Sequence, residues 1–294
     1  MLKEARTVLI TGASAGIGAA VADRLAREGY RVFGTTRRLA NLVQTQPGLR
    51  EAVAEAASAG TAARTLYPVQ FLELDVTDPD SVQKCVSQVI AEAGKIDVLI
   101  NNAGWGAFGS VEMLPIETAQ RLFDTIVFGT LRMIQAVVPA MRERRDGTVV
   151  NISSIAGRTA LPFQGHYSAA KAAVEMLSMS LRQELHPFGV RVTVVEPSDI
   201  NTRFFDQTLK CEPEKTPYLP WSELAWNYAG KVIGTAPPPD AVAKKVARIL
   251  RRKKPLPIYT AGLFEQRIAP TVFRFCSKRL ELRLMRIFYG LGFK

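Results

Sequence analysis

The chain has 294 residues, 47% of them hydrophobic, and a formal net charge of +11. This length and composition suit one large α/β domain and give little bias towards disorder. The positive charge is concentrated in residues 244–294, which hold fourteen Lys or Arg and only two acids. This basic part of the chain indicates an anionic surface or substrate. A nucleic-acid partner is not expected, because no nucleic-acid-binding module accompanies the charge.

The three cysteines, Cys85, Cys211 and Cys276, are scattered and match neither a disulfide framework nor a metal-ligand spacing. His166 and His186 also lack metal-ligating partners nearby in sequence, so no metal is expected. No stretch of about 18 uncharged apolar residues occurs, and the N-terminal residues have no signal-peptide pattern. We therefore expect a cytoplasmic protein whose contact with membranes, if any, is peripheral.

Short apolar runs rich in β-branched residues alternate with amphipathic helical stretches along most of the chain. Strands are predicted over residues 8–11, 31–35, 70–74, 98–101, 148–152 and 190–195. Helices are predicted over residues 17–28, 80–92, 118–145 and 167–186, with a further Ala-rich helix within 41–64 that is broken at Pro47-Gly48. This alternation predicts an α/β fold of the Rossmann type, with a doubly wound parallel sheet.

A glycine-rich loop, TGASAGIG, separates the first predicted strand from the first helix. Glycines let the backbone turn sharply and approach a pyrophosphate without a Cβ in the way. The helix that follows would direct free N–H groups and its positive end at the phosphates. The cofactor contacts predicted here are Gly12, Ser14, Ala15, Gly16, Ile17 and Gly18.

The second predicted strand ends in FGTTRR, residues 33–38. A site for NAD usually has an acidic residue here for the adenosine ribose hydroxyls, whereas this chain has Arg37 and Arg38. A guanidinium suits a 2′-phosphate through its charge and its bidentate hydrogen bonding. We therefore predict NADP(H) as cofactor, with Arg37 at the 2′-phosphate. Arginines that merely face solvent are the alternative.

Ser154, Tyr167 and Lys171 are the candidate catalytic residues. A tyrosine and a lysine four residues apart share one face of a helix, although many helices have such a pair by chance. A nearby ammonium favours the phenolate. We therefore expect Lys171 to lower the pKa of Tyr167 from its usual value of about 10 and to make the phenol an acid–base group at neutral pH. Ser154 would hold the substrate oxygen by a hydrogen bond.

Together these motifs resemble those of the classical short-chain dehydrogenase/reductase family, in family order, over about residues 6–205. The resemblance implies that Tyr167 donates the proton in reduction and that Lys171 holds the nicotinamide ribose. It also implies a homo-oligomer, a dimer or a tetramer. Besides the glycine-rich loop and Arg37, the cofactor contacts that it implies are Asp75, Val76, Asn102, Ala103, Gly104, Tyr167, Lys171, Ile200 and Thr202.

Two positions depart from the family's pattern. Ile126, in FDTIVFG, stands where the family has the asparagine of its proton relay, and Pro197-Ser198 replaces the usual Pro-Gly. Because isoleucine cannot hold the relay water, a catalytically weakened NADP(H)-binding regulator or scaffold is the alternative to an active enzyme.

The stretches FDTIVFGTLRMIQAVVPAM and LPFQGHYSAAK are similar to type 1 17β-hydroxysteroid dehydrogenases and to related retinol and acyl-dihydroxyacetone-phosphate reductases. This similarity implies NADPH-dependent interconversion of a ketone or aldehyde and an alcohol. It also implies a lipophilic substrate, such as a steroid, a retinoid or a keto-lipid.

Residues 1–260 are predicted to form the cofactor-binding domain and residues 261–294 a basic extension. Within the domain, the Pro- and Trp-containing segment 198–239 is predicted to be a long loop with short helices, either a substrate lid or a surface insertion. In the extension, an apolar stripe recurs mostly at steps of three and four, formed by Phe273, Cys276, Leu280, Leu284, Ile287, Phe288 and Leu291. A basic amphipathic helix of this kind either packs on its own domain or a partner subunit, or lies in a membrane interface.

Overall fold

The computed structural model describes residues 5–39, 69–211, 213, 215–263, 272 and 275–291. The strands in this part of the chain are β1 (Thr7–Ile10), β2 (Arg31–Thr36), β3 (Val69–Glu73), β4 (Val98–Asn101), β5 (Ala107–Phe108), β6 (Gly147–Ile152), β7 (Val190–Pro197), β8 (Leu209–Lys210) and β9 (Ile258–Ala261). Seven of them form one parallel sheet in the order β3-β2-β1-β4-β6-β7-β9, and β5 pairs with β8. The predicted Rossmann-type sheet is confirmed. Strand β9, which was not predicted, extends it by one strand.

Helices cover both faces of this sheet. The helices in the described residues are α1 (Gly16–Arg27), α2 (Pro79–Ala93), α3 (Ile116–Phe123), α4 (Gly129–Glu143), α5 (Gly165–Leu185), α6 (Trp221–Thr235), α7 (Asp240–Leu250) and α8 (Lys278–Phe288). Val8 and Ile10 of β1 face α1 and α7, whereas Leu9 between them faces α2 and α4. Because successive side chains of a strand point to opposite faces, a strand buried on both sides is a continuous apolar run.

The single helix predicted over residues 118–145 is interrupted in the structure. Helices α3 and α4 are joined by a π-helical turn at Asp124–Phe128, which contains Ile126 and packs beside α5. Such turns inside helices are frequent at functional sites. The helical run Ile116–Glu143 is long and apolar enough to cross a membrane by length and composition, but this is weak evidence, since buried core helices meet the same criterion.

Two predicted segments differ from the structure in detail, and one lies outside it. Segment 198–239 holds the 15-residue helix α6, longer than the short helices expected. The first strand after it, β9, ends at Ala261, so the sheet reaches one residue past the predicted domain boundary at 260. The Ala-rich helix predicted over 41–64 lies outside the described residues.

Helix α8 does not bury the predicted apolar stripe as a unit. Glu281 and Tyr289 are buried against the protein, whereas Leu280, Ile287 and Phe288 are exposed. Tyr289 packs in a cluster with side chains of α6 and β5. The helix is therefore docked on the domain and still presents apolar side chains to its outside.

The order of the strands in the sheet indicates where a ligand-binding site is expected. Neighbouring strands β1 and β4 are the point where the chain reverses its direction of travel across the sheet. In open α/β sheets, ligands bind in the crevice outside the carboxyl ends of the strands at such a switch point. The loops after β1 and β4 therefore border the expected binding site.

Candidate active site

A cavity of about 890 Å³ opens at the carboxyl ends of β1, β4, β6 and β7. This volume lies in the range of cofactor and small-molecule sites. Every site residue predicted from the sequence lines this cavity except Gly18. The lining residues among them are Gly12, Ser14, Ala15, Gly16, Ile17, Arg37, Asp75, Val76, Asn102, Ala103, Gly104, Ser154, Tyr167, Lys171, Ile200 and Thr202.

The glycine-rich loop forms one wall of the cavity. Gly12 and Gly16 have positive φ angles of 68° and 56°, a region in which a Cβ causes strain. Gly18 lies beneath the loop instead, where a Cβ would come 2.2 Å from the Gly12 carbonyl oxygen. The prediction of a cofactor contact at Gly18 is therefore corrected: this glycine allows α1 to pack closely against the loop. The N-terminus of α1 then opens into the cavity, as a pyrophosphate site requires.

A hydrogen-bonded clamp joins this loop to the end of β4. The Thr11 hydroxyl accepts hydrogen bonds from the backbone N–H groups of Asn102, at 2.9 Å, and Ala103, at 3.0 Å. The Asn102 amide in turn donates to the Gly12 carbonyl oxygen at 2.9 Å. The role of Thr11 was missed, and its hydroxyl directly before the first glycine is the only sequence signal for it. The clamp fixes the two loops that face each other across the switch point.

One edge of the cavity, where the sequence predicts the adenosine phosphate, has a cationic side chain. Arg37, just after β2, is exposed and lines the cavity, whereas the neighbouring Arg38 does not. On the other side, Asp75 lines the cavity, and its Oδ1 accepts hydrogen bonds from the backbone and the hydroxyl of Thr77 at 2.9 and 2.7 Å. A guanidinium at this edge fits a dinucleotide with a 2′-phosphate.

The candidate catalytic residues meet at the centre of the cavity. Ser154 follows β6 and accepts a hydrogen bond from the Ala156 N–H at 3.2 Å; its side chain is also hydrogen-bonded to the Tyr167 phenol. Tyr167 and Lys171 lie one turn apart on α5, and both are buried. The Lys171 ammonium donates to the Ile152 carbonyl oxygen at 2.9 Å and lies 5.7 Å from the centre of the Tyr167 ring.

Burial dominates the ionisation of this pair. Desolvation raises the pKa of Tyr167, and the hydrogen bond from Ser154 only partly opposes it. Desolvation likewise lowers the pKa of Lys171 to about 8. The expectation that Lys171 lowers the pKa of Tyr167 is therefore wrong for the chain by itself. Removing the phenolate from water costs more free energy than Lys171 and Ser154 restore by stabilising it. At neutral pH the phenol carries its proton and the lysine is mostly cationic.

Ile126 closes the side of the site where the family's relay asparagine would stand. Its side chain is 1% exposed and packs in one apolar cluster with Tyr167, Ala170 and Val174. This side chain has no polar atom that could hold a water as the asparagine amide would. The structure therefore supports the expectation that any proton path from Tyr167 differs from the family's usual one.

The other half of the cavity is aromatic. The rings of Phe108 and Trp226 pack edge to face, with their centres 4.9 Å apart. The ring centre of Phe205 lies 4.3 Å from that of Trp226, and the ring centre of Phe204 lies 5.6 Å from that of Tyr167. Phe288 of α8 also lines this half. None of these aromatic residues was predicted as a site residue, because no motif marks them and they come from distant parts of the chain. The arrangement suits an apolar substrate held next to the Tyr167 hydroxyl.

The sheet, the loop at its switch point and the Ser154, Tyr167 and Lys171 cluster define a dinucleotide-binding oxidoreductase of the Rossmann type. The family model described as short chain dehydrogenase matches residues 6–212. The chain belongs to the short-chain dehydrogenase/reductase family.

Individual relatives support the same assignment. The 3-ketodihydrosphingosine reductase of Bacteroides thetaiotaomicron is 40% identical over 199 residues, which span 68% of this chain and 65% of that protein. Retinol dehydrogenase 8 of Bos taurus is 33% identical over 267 residues, 85% of this chain and 79% of the relative. A serine dehydrogenase solved in complex with NADP+ has a TM-score of 0.71 and 27% identity, over 88% of this chain and 95% of that one. The family and this NADP-bound neighbour support NADP(H) as the cofactor.

Proposed function

We propose that this protein is an NADPH-dependent oxidoreductase that interconverts a lipophilic ketone or aldehyde and the corresponding alcohol. The observation that carries the proposal is the position of Tyr167. Tyr167 lines the cavity together with the glycine-rich loop and the aromatic residues, and its ring lies 5.6 Å from the Phe204 ring. A carbonyl carbon held by the aromatic half would thus lie between a nicotinamide and a proton donor.

The residues of the chain divide the reaction between them. When bound, NADPH supplies the hydride for the carbonyl carbon. Ser154 donates a hydrogen bond to the carbonyl oxygen, and Tyr167 gives that oxygen its proton as negative charge develops on it. The buried Lys171 supplies positive charge beside the phenolate that remains. Because burial raises the pKa of Tyr167 and keeps it protonated, the chain presents the proton donor that ketone reduction requires.

The substrate class follows from the aromatic half of the cavity and from the relatives. Phe108, Phe205 and Trp226 offer apolar surface and no charge. Two relatives carry names that refer to long-chain or isoprenoid lipids, 3-ketodihydrosphingosine reductase and retinol dehydrogenase 8. These observations favour a keto-lipid, a retinoid or a steroid over a small polar alcohol.

A substrate panel tests the proposal. Steroids, retinoids and long-chain keto-lipids are incubated with NADPH and NADH side by side, and nicotinamide absorbance is followed. We expect turnover of at least one lipophilic carbonyl compound, faster with NADPH. Saturable NADPH binding with no turnover across the panel would instead support the regulator or scaffold alternative, for which Ile126 is the motivating observation.

Apolar side chains exposed on helices support the expected homo-oligomer. Ile116 of α3, Phe128 of the π-helical turn and Met176 of α5 are exposed on elements that lie next to one another. Exposed apolar surface of this kind commonly marks a subunit interface. We infer that a second copy of the chain covers this face.

The outer face of α8 supports a peripheral contact with anionic membranes. Ile287 and Phe288 are 51% and 53% exposed, and the helix also carries Arg279, Arg283 and Arg286. Phe288 lines the cavity as well, so this face adjoins the substrate entrance. Apolar side chains flanked by arginines suit the boundary between headgroups and acyl chains. A lipophilic substrate would be concentrated at the same surface.

Vesicle sedimentation tests this contact. The double variant Leu280→Asp, Ile287→Asp is expected to bind phosphatidylserine vesicles at least about tenfold more weakly than the unchanged protein, since it places two like charges in the interface. Ile90→Asp, which alters an exposed apolar residue of α2, is the matched control and should not change binding. Equal sedimentation of all three proteins would remove α8 as a membrane contact.

A further inference from the structure

A cluster of buried polar side chains lies behind the candidate catalytic residues. Glu175 follows Lys171 by one turn of α5 and is 8% exposed. Its Oε1 accepts a hydrogen bond from the Ser153 hydroxyl at 2.7 Å. Gly157 leaves the space for it, since a Cβ at that position would come 2.3 Å from the same oxygen. The carboxyl group is therefore built into the junction between the Ser154 segment and α5.

A second carboxyl group completes the cluster. Glu196 of β7 is fully buried, and its Oε2 lies 3.4 Å from a guanidinium nitrogen of Arg158. Its Oε1 has no hydrogen-bond partner among the described residues. The same guanidinium also acts electrostatically on Glu175, so that two buried carboxyl groups depend on one positive charge, an arrangement in which both cannot ionise cheaply. Glu175, Arg158 and Glu196 do not line the cavity, so substrate binding by itself does not account for them.

The charges of this cluster act on one another. The charged groups that face Glu175 are Lys171 on its own helix, Arg158 after the 3-10 turn Ile155–Gly157, and Glu196 on β7. Burial raises the pKa of Glu175, Ser153, Arg158 and Lys171 lower it, and Glu196 adds to the rise, so that the pKa lies at about 7. Conversely, the negative charge of Glu175 opposes the desolvation that lowers the pKa of Lys171.

We propose that Glu175 is a positioning residue for the reaction, which holds the Ser154 segment on α5 through Ser153 and keeps the buried Lys171 cationic. The inference rests on the proposed function for its effect on turnover, but not for its effect on Lys171. Ile126 packs with Tyr167, Ala170 and Val174 in an apolar cluster and offers Lys171 no polar group. Glu175 is then a buried counter-charge for Lys171 that the family's motifs do not mark. Arg158 and Glu196 set the pH at which Glu175 carries that charge.

The test measures the titration of Lys171 directly. The full-length protein is labelled with 13C at the lysine ε-carbons, and the Lys171 resonance is assigned with Lys171→Met. In Glu175→Gln, which keeps the shape of the side chain and an acceptor for Ser153, the Lys171 midpoint is expected to fall by about one pH unit. In Glu196→Gln it is expected not to fall, because Glu175 then ionises at a lower pH. Glu184→Gln, an exposed residue of the same helix, is the control.

Turnover gives the second readout. With the unchanged protein, ketone reduction is expected to lose activity as pH rises through about 8, where Lys171 loses its proton. In Glu175→Gln the same loss is expected about one pH unit lower, so that this variant turns over about fivefold more slowly at pH 8, where half of Lys171 is cationic in the unchanged protein. Equal midpoints in Glu175→Gln and the unchanged protein, or equal downward shifts in both glutamate variants, would overturn the proposal. If the Lys171 midpoint falls in Glu175→Gln but the unchanged protein reduces no ketone, the electrostatic role of Glu175 is kept and only the proposed function is rejected.

Discussion

Tyr167→Phe is expected to lower turnover by roughly 10²–10⁴-fold while NADPH still binds with nearly unchanged affinity. The substitution removes one oxygen atom and leaves the ring, which lies 5.6 Å from the Phe204 ring and belongs to the apolar cluster that contains Ile126. The proton donor is lost, so the alkoxide that forms on hydride transfer has to take its proton from water. The glycine-rich loop and Arg37, which we expect to hold most of the cofactor, are untouched.

Steady-state reduction of the best substrate of the panel and NADPH fluorescence titration check this result. Tyr218→Phe is the matched control, because its hydroxyl donates a 2.8 Å hydrogen bond to Glu112 away from the cavity. That variant should turn over like the unchanged protein. If Tyr167→Phe retained full activity, the acid–base role of the phenol would be wrong, whatever the substrate.

Arg37→Ala is expected to weaken NADPH binding by roughly ten- to a hundredfold, the range for one lost hydrogen bond to a charged group, and to leave NADH binding nearly unchanged. Arg37 lines the cavity just after β2, and no acidic side chain follows that strand. Without the guanidinium, the 2′-phosphate loses its charge partner. NADH has no such phosphate, so the substitution removes no contact from it and its binding affinity stays the same.

Fluorescence titrations with both cofactors at two salt concentrations measure this difference. Arg38→Ala provides the control, since it removes the same charge one residue further on, from a side chain that does not line the cavity. A similar loss of NADPH affinity in both variants would point to a general field effect rather than a contact at Arg37. Equal weakening of NADH binding by Arg37→Ala would contradict the assignment to the 2′-phosphate.

The sequence by itself determined the sheet and the residues of the cofactor half. Strands buried on both faces have continuous apolar sequences, so β1, β4 and β6 could be predicted without a structure. The glycine-rich loop and the pair formed by Tyr167 and Lys171 were visible too, because backbone geometry and helical spacing constrain residues that are close along the chain. The short strand β9 was not, since its four residues, three of them half-buried and one buried, carry no period.

Only the tertiary structure decided the substrate half and the ionisation of the centre. Phe108, Phe204 and Trp226 line one cavity with Tyr167 because β5, the segment after β7 and α6 converge there, and nothing in their local sequence marks this position. The sign of the shift in the Tyr167 pKa likewise reversed once its burial was known. Burial depends on every element packed around a group, and desolvation outweighs the effect of a charge one helical turn away. Spacing along the chain reports neighbours but not the amount of water left around them.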